Sequence, residues 1–103
     1  MEQAEHLDPI PPGEILREEF LVPFAMSQAQ LAKAIDVPPG RITDILKGKR
    51  AVTADTALRL GRYFNMSPEF WLGLQMDYDL RLAQRQLGDR LQSQIRPMEQ
   101  YGT

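Results

Sequence analysis

Leu31, Ala32, Ile35, Val37, Ile42 and Ile45 form a six-position apolar pattern that constrains this chain more than any other feature. Two short helices joined by a tight turn bury a set of this spacing where they cross. Ala32 has to be small, because the second helix passes directly over it. Ser27 is a good N-cap for the first helix, expected over Gln28–Ile35. Asp36 follows its last apolar position, and a helix end there needs a left-handed residue, which Asp tolerates better than most. Pro38 and Pro39 open the second helix, expected from Pro39 to about Lys47 with Ile42, Ile45 and Leu46 inward, and Gly48 stops it. An ordinary αα-hairpin would show the same burial, so a functional reading needs a second signal.

Charge supplies one. The net charge of −2 is unevenly placed. Residues 1–26 hold one Arg against six acids, a net −5, whereas residues 27–62 hold seven Lys/Arg against three acids, a net +4. Residues 63–103 carry a net −1. A cationic middle coinciding with the paired-helix pattern is what a local phosphate-binding face looks like in a chain that is acidic as a whole.

The remaining helices follow from caps and breakers. A first helix is expected from Gly13 to about Val22, with Ile15, Leu16 and Phe20 on one face and Pro23 ending it. Thr53 caps a fourth, whose buried side is expected to be Ala57, Leu58, Leu60 and Phe64. Asn65 and Met66 make a turn. Ser67 at N-cap and Pro68 at N1 start a fifth, running through Phe70, Trp71, Leu74, Tyr78 and Leu82 to about Leu87, where Gly88 breaks it. The expectation is one all-α, five-helix domain over residues 12–87. A Pro-rich, flexible lead-in over 1–11 precedes it, and a loose tail over 88–103, able to add a weak final turn, follows.

Composition and spacing exclude several classes. A chain of 103 residues has room for one compact core. The absence of cysteine removes disulfides, thiolate metal sites and a cysteine nucleophile, and fits a reducing compartment. No apolar run approaches a membrane span, and the acidic N-terminus is unlike a signal peptide, so the cytoplasm is the expected location. His6, the sole histidine, has no second ligand nearby, and Asp77 and Asp79 cannot share a helical face. Ser27, Thr53 and Ser67 are explained as caps. Neither a cofactor nor an enzymatic constellation is expected.

The paired-helix segment, with Ser27-Gln28 opening it and Leu46-Lys47-Gly48-Lys49-Arg50 closing it, resembles the helix-turn-helix of the lambda-repressor/Cro-like (XRE) family. That resemblance implies a second helix lying in the major groove of DNA. Ser27 and Gln28 would then anchor phosphates at the start of the first helix, and Lys47, Lys49 and Arg50 would add phosphate contacts beyond the second. The sequence departs from the family at Pro39 and Gly40, which cannot hydrogen-bond a base edge. Readout would shift to Arg41, Thr43 and Asp44, the last able to accept from a cytosine amino group. A solvated Asp44, pairing with Lys47, is an equal alternative.

A narrower resemblance extends over roughly residues 11–82. Pro12-Gly13-Glu14-Ile15-Leu16, Gly48-Lys49-Arg50, Thr53-Ala54-Asp55-Thr56-Ala57-Leu58-Arg59-Leu60, Ser67-Pro68-Glu69-Phe70-Trp71-Leu72-Gly73-Leu74-Gln75 and Tyr78-Asp79-Leu80 are similar to the HigA-type antitoxin family. This implies a dimeric antitoxin that represses its own operon and neutralises a basic, RelE-like mRNA nuclease. Phe70, Leu74, Tyr78 and Leu82 are the expected dimer contacts, since the fifth helix carries more apolar surface than one face of a terminal helix needs. Trp71 is read as a plug of the core. The acidic Glu14, Glu18 and Glu19 are the expected contacts for a basic toxin. Two alternatives stay open: a stand-alone repressor, and a protein-interaction module that has lost DNA binding, which Pro39 and Gly40 make plausible.

Overall fold

The computed structural model describes residues 8–99, which form six helices and no strand. They are α1 (Pro12–Leu16), α2 (Gln28–Ala34), α3 (Pro39–Leu46), α4 (Ala54–Phe64), α5 (Pro68–Leu87) and α6 (Arg90–Gln94). The all-α expectation holds, with one short helix more than the five anticipated. None of the residues of α6 is buried. Expectations for residues 1–7 and 100–103, including His6, lie outside the described residues. Asp8, within the expected lead-in, forms a 2.7 Å salt bridge with Arg85 on α5.

The first helix differs from its expected regular form. Only Pro12–Leu16 is α-helical; Arg17–Leu21 continues as a π-helical turn, closed by Val22 N–H to the Arg17 carbonyl at 2.9 Å. The wider turn lets Leu16 and Leu21, five residues apart, both reach the core, while Phe20 faces an aromatic cluster. Phe20 lies 4.8 Å from the Phe64 ring and 4.9 Å from that of Trp71.

The core is the set that the sequence pattern marks: Leu31, Ala32, Ile35, Val37, Ile42, Ile45 and Leu46 are all buried, together with Leu16, Val52, Ala57 and Leu60. Trp71 is fully buried and plugs this core, as expected. Leu58 is not part of it: 61% exposed, it corrects the expected buried side of α4. The buried stripe there is Thr56, Ala57, Leu60 and Gly61, and Leu58 lies about 100° round the helix from Ala57.

Helix α2 packs on α3, α1 on α3 and α5, and α4 on α5. Gly13 makes the α1–α3 contact possible, since a Cβ there would stand 2.1 Å from the Ile45 carbonyl oxygen. Asp36 and Asn65 take the left-handed conformation, with φ of 61° and 58°, where the helices they follow end.

Candidate nucleic-acid interface

The surface around α2, α3 and the loop after them is built from both helix ends. Ser27 caps α2 through a reciprocal pair: its Oγ accepts from the Gln30 N–H at 3.0 Å, and its own N–H donates to Gln30 Oε1 at 2.8 Å. The first-turn amides of Gln28 and Ala29 remain for an external acceptor. Gln28 is bound to α3, its Oε1 accepting from Thr43 Oγ1 at 3.0 Å, which leaves its amide NH2 to donate elsewhere.

On α3, Pro39 and Gly40 are exposed, and the space beside Gly40 is open. Arg41 follows them but is tethered. Its Nη1 donates to Asp55 Oδ1 at 2.8 Å, and the same oxygen takes Arg59 Nε at 2.7 Å. Arg59 Nη1 in turn donates to the carbonyls of Ile35 and Asp36 at 2.9 and 3.1 Å, in the turn between α2 and α3. Hydrogen bonds from Arg59 and then Arg41 hold the Asp55 carboxyl below its usual range, so it is charged at neutral pH. Thr43 and Asp44 are half-buried. Asp44 forms no salt bridge among the described residues, with Lys47 or otherwise; its carbonyl accepts from Lys49 N–H at 2.8 Å and so shapes the turn after α3.

Lys47, Lys49 and Arg50 are exposed around Gly48, whose φ of 75° bends the chain, and none is salt-bridged among the described residues. The end of this segment is held by the Val52 N–H, which donates to Gln75 Oε1 on α5 at 2.7 Å. The last carbonyl of α3 is capped from the π-helical turn that follows α1, where Arg17 Nη2 donates to the Leu46 oxygen at 3.2 Å. The expected residues therefore gather as three parts: Ser27, Gln28 and Thr43 joined at one end; Arg41 bound to α4; and Lys47, Lys49 and Arg50 at the far end of α3.

The expected dimer residues are divided. Phe70 is 38% exposed and stands edge-on to Trp71 at 5.0 Å. Leu74 is half-buried against the core, and Tyr78 and Leu82 line a shallow cleft with Pro11, Pro12, Lys49 and Arg50. The freely exposed large apolar side chains of α5 are instead Met76 and Leu80, continued beyond it by Leu91, Ile95 and Met98. Glu14, Glu18 and Glu19 are exposed on α1 and the π-helical turn, and none is salt-bridged among the described residues.

Asp55, Arg59, Gln75 and Gln30 shape this surface although nothing in the sequence assigned them to the site. Gln30 three residues after Ser27, and Arg59 four after Asp55, were legible as a capping box and a helical ion pair. The Arg41–Asp55 and Val52–Gln75 contacts depend on how the helices come together. Among the described residues no group of three acids or histidines is placed to hold a metal ion, and no helix is long and apolar enough to cross a membrane.

A helix-turn-helix family model matches residues 16–71. The chain is 53% identical over 76 residues to virulence-associated protein I of Dichelobacter nodosus, covering 74% of this chain and 70% of that protein. Among solved structures it is similar to an addiction module antidote protein of a HigA family from Coxiella burnetii, with a TM-score of 0.84, 47% identity, and coverage of 89% of this chain and all of that one. It is equally similar in fold to antitoxin HigA of Pseudomonas aeruginosa solved with the higBA promoter, with a TM-score of 0.84, 46% identity, and coverage of 87% and 98%.

Proposed function

Because the chain belongs to the helix-turn-helix family and groups within it with HigA-type antitoxins, we propose that it is an operator-binding antitoxin that represses its own operon and neutralises a basic, RelE-like mRNA-nuclease toxin. The observation that carries the DNA reading is the joined Ser27–Gln28–Thr43 corner, with the unpaired cations Lys47, Lys49 and Arg50 at the other end of the same helix. Phosphates fit both ends, where α2 offers free amides and the loop offers charge. Between them Arg41, Thr43 and Asp44 are the residues of α3 able to read base edges. That a P. aeruginosa relative was solved with promoter DNA supports DNA as the partner.

Repression of a palindromic site needs two copies, with half-sites about one helical turn apart or a multiple of it. The exposed apolar side chains Met76 and Leu80 of α5, with Leu91, Ile95 and Met98 after it, support association of two chains through this end, while Leu74, Tyr78 and Leu82 lie on the other side of α5. The toxin would meet the exposed Glu14, Glu18 and Glu19, since a partner that binds ribosomal RNA is basic. All of this takes place in the cytoplasm.

The test is genetic and has two arms. The chain should silence a reporter driven by the DNA upstream of its own coding sequence. It should also restore growth to cells expressing the small basic protein encoded beside it, and neutralising Glu18 and Glu19 should weaken that rescue while leaving repression intact. Repression without any toxic neighbour would favour a stand-alone repressor. Rescue without repression would leave a protein-interaction module.

A further inference from the structure

Arg41 occupies an unusual place in the site. It is the first residue of α3 with a long polar side chain, yet its guanidinium is bound by a carboxylate from another helix. Resting on the operator-binding reading above, we infer that Asp55 is a positioning residue for base recognition, fixing Arg41 so that its remaining donors address a guanine.

The donor inventory supports this. A guanidinium carries five N–H groups. In Arg41, Nε is buried with no partner, and Nη1 spends one hydrogen on Asp55. The second hydrogen of Nη1 and both of Nη2 remain. They suffice for the two-pronged contact with O6 and N7 through which arginine reads guanine in the major groove. An unrestrained arginine would lose much rotamer freedom on making that contact. One already held at an edge loses less, and presents its fork in one orientation.

Asp55 is itself held. Arg59 binds the same oxygen and fastens to the Ile35 and Asp36 carbonyls, so the carboxylate is tied to the turn that sets the angle between α2 and α3. The charge balance also suits a DNA face. One carboxylate against two guanidinium groups leaves this cluster net cationic, so Asp55 can sit 56% exposed without making the local field repel phosphate. Pro39 and Gly40 offer no side-chain donor, which places the reading of the early helix on Arg41.

The test measures, by fluorescence anisotropy, binding of the full chain to the duplex upstream of its own gene. A panel of single-pair variants of that duplex and a random duplex of equal length are measured alongside. Arg41→Ala and Asp55→Asn should each lose about tenfold of the preference for one and the same G·C pair. The double variant should lose no more than Arg41→Ala alone, and affinity for the random duplex should change less than about twofold. Thermal melting checks folding; should Asp55→Asn be unfolded, Arg41→Lys takes its place. Lysine keeps the charge but cannot bind carboxylate and guanine with one planar fork, so the same pair preference should fall. The inference is overturned if Asp55→Asn keeps the preference at the pair Arg41 reads, if it weakens all duplexes alike, or if Arg41→Lys retains the preference. Failure of the unaltered chain to prefer its upstream duplex would overturn the operator reading, and this inference with it.

Discussion

Thr43 Oγ1 donates a 3.0 Å hydrogen bond to Gln28 Oε1, joining the outward side of α3 to the first turn of α2. On the proposed function, a residue that would read a base is thereby linked to one that would hold a phosphate. The bond orients both side chains before any ligand arrives, and it leaves the Gln28 amide nitrogen turned to donor work.

Replacing Thr43 by Val keeps its shape and removes the hydroxyl. The net worth of one such exposed bond to stability is about 1 kcal/mol or less. Operator affinity should nevertheless fall by about 1–3 kcal/mol, because the base contact is lost. Affinity for random duplex should change little. Anisotropy titrations on the two duplexes separate these outcomes, and equal losses on both would remove Thr43 from base discrimination.

Gly13 bears on the same surface from beneath. A Cβ at this position would stand 2.1 Å from the Ile45 oxygen and 2.9 Å from the Leu46 Cα, all backbone of α3. Gly13→Ala should therefore push α1 away from α3 and cost about 1–3 kcal/mol in urea denaturation, although alanine favours helices. Unchanged or raised stability would mean that α1 does not seat α3 as described.

Asp55 gives a pH dependence whose sign is fixed. Its carboxyl titrates in the folded chain below the ordinary value of 3.8, so the stability it confers is present above that value and is lost as pH falls through the lower folded one. The melting temperature of the protein should exceed that of Asp55→Asn at neutral pH. The gap should narrow once pH drops below about 4 and close in stronger acid. A gap independent of pH would assign the effect to packing.

Association through the C-terminal end calls for a charge at a position already in solvent. Leu80 is 55% exposed, so Leu80→Glu spares the monomer core, whereas a charge at half-buried Leu74 or Tyr78 would also disturb it. The variant should melt as the parent does at low concentration and sediment as a monomer, with much weaker operator binding. Sedimentation as a dimer would direct the search to another surface.

How much of this was legible depends on the range of each interaction. The paired-helix pattern, its Ser27 cap and the Asp36 turn could be read because every contact is local or follows helical periodicity. Trp71 was legible as core from its size alone. Leu58 was misplaced because an apolar residue beside a buried stripe looks, in sequence, like part of it. The π-helical turn at Arg17–Leu21 has no compositional sign, since it answers to where Leu16 and Leu21 must land. Arg41 reads as a free base contact until α4 brings Asp55, fourteen residues on, to its guanidinium.

On the proposed function, residues 27–50 hold a DNA duplex through phosphate contacts at both ends of the paired helices. The most direct test is the salt dependence of binding to the upstream duplex, for the protein and for a variant with Lys49 and Arg50 both replaced by Ala. The expected result is a linear fall of log affinity with log salt, and a slope for the variant flatter by about one unit per lost contact, on operator and random duplex alike. Identical affinity and slope for the two proteins would contradict it.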